Sequence, residues 1–236
     1  MDKKQEQIRA VYEEMATAYD ARIDTKPYNA YYDRPNTLAL LGEVTGLAVL
    51  DAGCGPGKYA EVLLAKGATV TAFDYSPKMV DLAKARNGAK GTFFVHNLAE
   101  PLEQLEAASF DKIVCALALH YLEDWTVPLQ EFARLLKPQG ELVLSLGHPF
   151  SDYKWTTSDN YFEVEAISNY WKSFDLTVHS YRRSLQDSLQ PLLANGFYID
   201  ALLEYQPIPT FEAIDPINYK RLQQFPDFMG IRAILR

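Results

Sequence analysis

Apolar side chains recur at spacings of three and four near the start of the chain, at Ile8, Val11, Tyr12, Met15 and Tyr19. That period predicts a helix over residues 3–20. The pattern breaks in KPYNAYYDRP, residues 26–35, where three tyrosines crowd between two prolines. A further helix is expected over 37–44, ending near Gly46. From 47 to 52 the apolar run shows no alternation, as a parallel strand covered on both faces requires. A helix over 59–66, closed by Gly67, and a strand over 69–75 follow. Ser76 and Pro77 read as the N-cap and first position of a helix running through Arg86. Strands are expected over 92–97, 110–117 and 141–146, with a helix over 128–136 and a turn at 138–140. Residues 149–180 are rich in Tyr, Trp, Ser and Asp and carry no period, which suggests an insertion of loops with a short hairpin. Regular structure returns with a helix over 185–194, stopped by Asn195-Gly196, and strands over 197–205 and 228–235. The chain between those strands, marked by 206–209 and 215–216, reads as irregular.

Strand and helix patterns thus alternate through the first two thirds of the chain. This predicts a parallel sheet with helices on both faces and ligands at the carboxyl ends of the strands. With 236 residues, 48% apolar and 23% charged, the chain has the composition of an ordinary globular protein. The net charge of −8 offers no general attraction to nucleic acid or anionic lipid, so neither is expected as a partner. Two cysteines, Cys54 and Cys115, without a CxxC or a Cys/His cluster, indicate no metal site and no disulfide framework. The opening MDKKQEQIRAVYEEM lacks the apolar core of a signal peptide, and no apolar run approaches the roughly 20 residues of a membrane span. A cytoplasmic location is the expectation.

The chemistry starts at VLDAGCGPGK, residues 49–58, where Gly53, Gly55 and Gly57 join a strand to a helix. Such a turn lets backbone amides and a helix N-terminus approach a ligand. The spacing is GxGxG rather than the GxGxxG of dinucleotide sites, and Pro56 removes an amide proton where a pyrophosphate would want one. Asp74, at the end of the second strand, is placed to accept ribose hydroxyls. Asn97 and the backbone of Leu98, at the end of the third, can bond an adenine edge. A ribose is common to NAD and S-adenosylmethionine, so these residues indicate a nucleoside and leave the choice open.

VLDAGCGPG, FDYSPKMVDLAKAR, FDKIVCALALHYLEDW and LKPQGELVLSLGHPF together resemble the motifs of class I S-adenosylmethionine-dependent methyltransferases. The similarity is greatest to the small-molecule group called methyltransferase type 11, or UbiE-like, and covers roughly residues 45–150. NGFYIDALLEYQP with FMGIRAIL resembles the family's closing strand pair, and VYEEMATAYD its cofactor-covering helix. The resemblance implies a Rossmann-like, seven-stranded, mostly parallel sheet with helices on both faces and the last strand antiparallel. It also implies a helical cap over 1–44, a cofactor domain over 45–148 and 181–236, and a substrate lid over 149–180. S-adenosyl-L-methionine would be the cofactor and S-adenosyl-L-homocysteine the product. Gly53 and Gly55 would approach its methionyl part, with Asp51 organising the ammonium through water. Asp74 would take the ribose, Tyr75 and Met79 would pack on adenine, and Asn97 and Leu98 would meet its edge. Ala116 or Leu117 would lie beside the methyl donor, and Tyr19 would reach the methionine end. Asn97 stands where many relatives carry Asp, though it keeps a carbonyl oxygen.

Methyl transfer from a sulfonium is a direct displacement that rests on alignment and exclusion of water. Where the acceptor keeps its proton at neutral pH, His120 and His148, each just after a strand, are the candidate bases; a structural hydrogen-bonding role is the alternative for each. Tyr28, Tyr31, Tyr32, Trp155, Tyr161, Phe162, Tyr170 and Trp171 lie outside the sheet pattern and form either a lid over an acceptor or a satellite core. Arg182 and Arg183 either bind an acceptor carboxylate or form a solvated face. Transfer to a small-molecule acceptor by a monomer or homodimer is the leading expectation. A nicotinamide-dependent oxidoreductase and a non-catalytic S-adenosylmethionine-binding protein are the alternatives. CALALHYL after the fourth strand carries no signature of base or amide N-methylation.

Overall fold

The computed structural model describes residues 3–171 and 174–236; Lys172 and Ser173, inside the expected insertion, lie outside it, as do the first two residues. The chain opens with α1 (Lys3–Asp20) and continues through α2 (Arg34–Leu41) to a doubly covered sheet. The alternation is β1 (Ala48–Ala52), α3 (Lys58–Ala65), β2 (Thr69–Asp74), α4 (Pro77–Asn87), β3 (Thr92–Val95), β4 (Phe110–Ala116), α5 (Thr126–Leu135) and β5 (Leu136–Gly147). After the short α6 (Pro149–Asp152) come the hairpin β6 (Glu165–Trp171) and β7 (Leu176–Arg182), then α7 (Leu185–Ala194) and β8 (Phe197–Glu204). The helices α8 (Thr210–Ile214) and α9 (Pro216–Leu222) precede β9 (Phe228–Leu235).

The seven-stranded sheet has the order β3-β2-β1-β4-β5-β9-β8. The strands β1 to β5 pair parallel, and β9 lies antiparallel between β5 and β8. The expected Rossmann-like architecture is therefore present, with the reversed strand inserted inside the sheet. Its uninterrupted apolar strands follow from burial on both faces. Leu50, Ile113 and Leu142 pack with Phe132 and Leu192 on one side, while Val49, Val114 and Val143 pack with Leu40, Leu63 and Val80 on the other. Neighbouring residues in a strand face opposite ways, so both must be apolar. The order of strands reverses between β1 and β4, and such a switch point opens a crevice at their carboxyl ends.

Three local expectations are corrected. Residues 26–35 are not a break but a wide helical turn over Asn29–Asp33 that feeds α2, which starts earlier than expected because Pro35 suits a first helical turn. The segment between β8 and β9 holds two helices. Asp215 caps α9 by accepting the Asn218 N–H at 3.0 Å, and Pro216 opens it, so Asp-Pro here starts a helix instead of a loop. The expected turn at 138–140 lies within β5, where the register shifts against β4 and Gln139 takes φ +63°. The hairpin suggested for the insertion forms its own two-stranded sheet and extends two residues past Ser180.

Candidate active site

A cavity of about 550 Å³ opens at the carboxyl ends of β1, β2 and β4 and runs under α1 and the β6–β7 hairpin. The volume suits a nucleoside-sized ligand with a small second molecule. The three glycines of the first loop have different neighbours. A Cβ on Gly53 (φ +78°) would stand 2.6 Å from the Ala118 Cβ, and one on Gly57 (φ +78°) 2.6 Å from Asn87 Nδ2 and 2.8 Å from the Ala83 Cβ. Those two glycines let the loop pack against the β4 end and against α4. At Gly55 (φ +52°) a Cβ would meet nothing within 4 Å, and this residue lines the cavity. The space beside Gly55 belongs to the cavity.

Asp74 binds the loop to β2: its Oδ2 accepts from the Gly55 N–H at 2.8 Å and its Oδ1 from the Ser76 N–H at 2.9 Å. Burial nonetheless raises its affinity for a proton above the ordinary carboxylate range. Asp51 is fully buried behind the loop, with Oδ2 lacking any partner among the described residues. Burial pushes its carboxyl up to about 7; a bond from the Ala60 backbone opposes this, and the Asp74 charge adds to it.

Helix α1 closes the cavity from above. Tyr75 donates its hydroxyl to Glu6, Ser76 donates to Glu13, and the Arg9 guanidinium lies 5.3 Å over the Tyr75 ring. Asn97 Nδ2 donates to Gln5 Oε1 at 3.0 Å, while its Oδ1 accepts from the Ala99 N–H at 3.0 Å. Sequence reasoning missed Gln5; as a polar residue near a chain start it carries no local signal. Tyr19, Gly53, Gly55, Asp74, Tyr75, Met79, Asn97, Leu98, Ala116 and Leu117 all line the cavity, whereas Asp51 stands behind it.

Beyond the end of β4 the lining changes to Tyr12, Tyr121, Tyr28, Trp155, Trp171 and Phe228. Tyr12 and Tyr121 share a hydrogen bond between hydroxyls, and the Tyr12 and Trp171 rings meet edge-on at 6.4 Å. The Lys26 ammonium sits 4.1 Å over Trp171 and 5.0 Å over Tyr19; burial, and then the Arg22 charge, pull it down to about 8. His120 lines this end with Nδ1 buried and unpartnered among the described residues. Burial, and then the Arg183 charge, lower it to about 4, so its ring is neutral at pH 7.

Other expected acceptor-side residues lie elsewhere. His148 does not line the cavity: Nδ1 accepts from the Phe150 N–H at 3.1 Å, capping α6, and Nε2 meets Glu204 Oε1 at 3.0 Å. Both ring nitrogens are thus engaged away from the cavity. Tyr32 is fully buried, accepting from the N–H groups of Asp227 (2.9 Å) and Phe228 (3.2 Å), and belongs to a satellite core with Tyr205, Phe211 and Leu222. Tyr170 faces solvent, with its hydroxyl on Asp175, because strand alternation gives the inner face of β6 to Asn169 and Trp171. Arg182 is 1% exposed and holds Glu165 and the carbonyls of Asn160 and Tyr161. Arg183 bonds the Leu122 and Glu123 carbonyls over the Trp125 ring. Tyr28 and Trp155 do reach the cavity, Tyr28 accepting from Arg221 Nη2 at 2.8 Å.

The methyltransferase-domain family profile matches residues 50–144, the span that carries this loop and the strand ends around it. The chain is 31% identical over 188 residues to a protein of Geobacillus sp. (strain WCH70) named as a methyltransferase, covering 74% of this chain and 73% of the other. The chain belongs to the class I S-adenosylmethionine-dependent methyltransferases, in the UbiE-like group. The solved structure of an S-adenosylmethionine-dependent methyltransferase from Mesorhizobium loti is 27% identical, with a TM-score of 0.75 over 90% of this chain and 99% of that one. The ubiquinone biosynthesis O-methyltransferase of Xanthomonas oryzae pv. oryzae (strain PXO99A) is 38% identical over 131 residues, 54% of each chain, so that match spans about half of either protein. The methyltransferase uses S-adenosylmethionine as cofactor, and the nicotinamide alternative falls away. Its cavity fits that group: open space beside Gly55, a half-buried carboxylate at Asp74 and an unpartnered carboxyl oxygen at Asp51 suit an amino-acid tail, a ribose and an ammonium in turn. No metal-binding group of His, Cys, Asp or Glu occurs among the described residues. No helix of the described residues is long and apolar enough to cross a membrane.

Proposed function

We propose that this methyltransferase acts on a small molecule with an apolar or aromatic body. The observation that carries this reading is the continuity of the cavity. A polar half around Gly55, Asp74 and Asn97 passes without a wall into an aromatic half around Tyr12, Tyr28, Tyr121, Trp155 and Trp171. Aromatic side chains give a flat acceptor large contact area at low entropic cost. The name of the Xanthomonas relative, an O-methyltransferase of ubiquinone biosynthesis, agrees with such an acceptor.

S-adenosylmethionine supplies, when bound, an electrophilic methyl carbon on a sulfonium. In the proposed arrangement Asp74 accepts the ribose hydroxyls, and Tyr75 and Met79 bracket the adenine. The backbone at Leu98 meets the base edge, and Asp51 faces the ammonium through water. Gly53 and Gly55 border the methionyl part, Tyr19 closes over it, and Ala116 and Leu117 form the floor at the reacting end. Residues 1–44 form the cap and residues 149–180 the lid of a domain made by 45–148 and 181–236. The seal that α1, Tyr121 and the hairpin make over the cavity excludes water from the displacement. His120, neutral in this setting, stays a hydrogen-bond partner for the acceptor, and with so low a proton affinity it is a weak base.

Calorimetry with S-adenosylmethionine, S-adenosylhomocysteine and NADH tests the cofactor half; binding of the first two and not the third is expected. Release of S-adenosylhomocysteine across a panel of small hydroxylated aromatics, peptides and RNA tests the acceptor half. Turnover confined to peptide or RNA would refute it.

A further inference from the structure

Asp152 lines the aromatic end of the cavity, as Asp33 and Asp227 do, and neither the sequence motifs nor the reading above gives it work. It closes α6, just beyond the carboxyl end of β5. That strand pairs with β4 through Ala116↔Ser145, so its last residue, Gly147, lies next to the chain that follows Ala116. Gly147 is the reason the carboxylate can be there: a Cβ at that position would stand 2.5 Å from Asp152 Oδ2. No hydrogen bond or ion pair to the Asp152 carboxylate occurs among the described residues, in contrast to its neighbour Asp227, which holds Arg221 and Ser151. A half-buried carboxylate that lines the cavity at a strand end and has no protein partner among the described residues is open to a ligand.

Resting on the small-molecule reading, we propose that Asp152 is the catalytic base, taking the proton of a phenolic hydroxyl on the acceptor as the methyl group is transferred. The acceptor O–H proton passes to a carboxylate oxygen of Asp152 while an oxygen lone pair forms the new C–O bond. The methyl–sulfur bond breaks with its electron pair left on sulfur, and the proton leaves Asp152 to solvent afterwards. Burial raises this carboxyl to about 7; Lys154 and Arg182 face it as cations that oppose the rise, and Asp227 faces it as an anion that adds to it. A base that protonates there lies about three decades below a phenol ionising near 10, a gap that transfer concerted with methylation can cross. His120, held near 4, offers far less basicity, and His148 is turned away.

The test uses the full chain with S-adenosylmethionine, catechol, 3,4-dihydroxybenzoate and 4-nitrocatechol as probes, and benzyl alcohol as the aliphatic control. Wild-type turnover is expected with at least one phenol, none with benzyl alcohol, and a rate that climbs with pH to a plateau above about 7. Asp152→Asn should lower kcat by on the order of 10²–10⁴-fold, abolish that pH step and leave S-adenosylmethionine affinity within about twofold. The loss should be smallest with 4-nitrocatechol, the most acidic probe. Asp152→Glu, which keeps a carboxylate, should recover part of the rate, and melting curves of both variants confirm folding. A folded Asp152→Asn protein within about threefold of wild type, an unchanged pH step, or no phenol methylated by a protein that binds S-adenosylmethionine would each overturn the proposal. Failure to bind S-adenosylmethionine at all would instead overturn the cofactor half of the functional reading.

Discussion

Adding one methyl group at each glycine of the first loop separates packing from ligand space. Gly55→Ala places a non-glycine residue at φ +52°, which costs about 1–2 kcal/mol, and its Cβ meets nothing within 4 Å. The melting temperature should fall by only about 2–8 °C. The added methyl stands in the cavity, however, and crowding of that kind costs about 1–3 kcal/mol, so S-adenosylmethionine affinity should fall about 5- to 150-fold. Gly53→Ala meets the same backbone strain and also an Ala118 Cβ at 2.6 Å, so about 2–5 kcal/mol of stability is lost. Gly57→Ala drives a Cβ to within 2.8 Å of the Ala83 Cβ and displaces Asn87, whose amide bonds the Gly57 carbonyl at 3.1 Å; a loss of similar size is expected. Thermal melts read the stability and titration calorimetry the affinity. The reasoning fails if folded Gly55→Ala binds S-adenosylmethionine as wild type does, or if all three variants melt together.

Asp51, held near 7 in the free protein, should ionise when an ammonium arrives, so S-adenosylmethionine binding at pH 7 should release up to about half a proton and tighten as pH rises from about 6 to 8. Calorimetry in phosphate and in Tris measures the release, and Asp51→Asn should remove it. His148→Ala deletes the cap of α6 and should cost about 0.5–2 kcal/mol while leaving kcat within about threefold, a contrast read from melts and turnover together. Tyr32→Phe strands the N–H groups of Asp227 and Phe228 and should cost about 1–3 kcal/mol with acceptor KM unchanged. Replacing ionised Asp152 by Asn should stabilise the fold. A raised carboxyl destabilises the folded state increasingly as pH climbs from about 3.8 to about 7. The full effect is on the order of 4 kcal/mol above that range, and it is measurable as a flattened stability–pH curve for Asp152→Asn.

The strand–helix alternation, the glycine loop and the carboxylate at the end of β2 were legible in the sequence because each is local. Period, cap and turn chemistry act within a few residues, and a strand buried on both faces shows as an unbroken apolar run. The half of the cavity around Gly55, Asp74 and Asn97 is built from strand ends and the loops just after them, so the residues that line it could be named from position along the chain. The aromatic half is assembled from α1, the hairpin and the chain around α6 and α9, brought together across up to two hundred residues of sequence. There, side-chain direction decides: Tyr28 reaches the cavity and Tyr32 the satellite core one turn away; Trp171 points in and Tyr170 out; His148 caps a helix while Asp152, four residues on, lines the cavity. A tyrosine or histidine has the same chemistry in either place. The sequence determined which fold forms and where its nucleotide loop lies, because hydrophobic periodicity and backbone geometry are properties of short segments. Tertiary packing alone decided which aromatic and titratable groups meet in the cavity and how strongly burial shifts their protons, because both depend on neighbours that the chain supplies from afar.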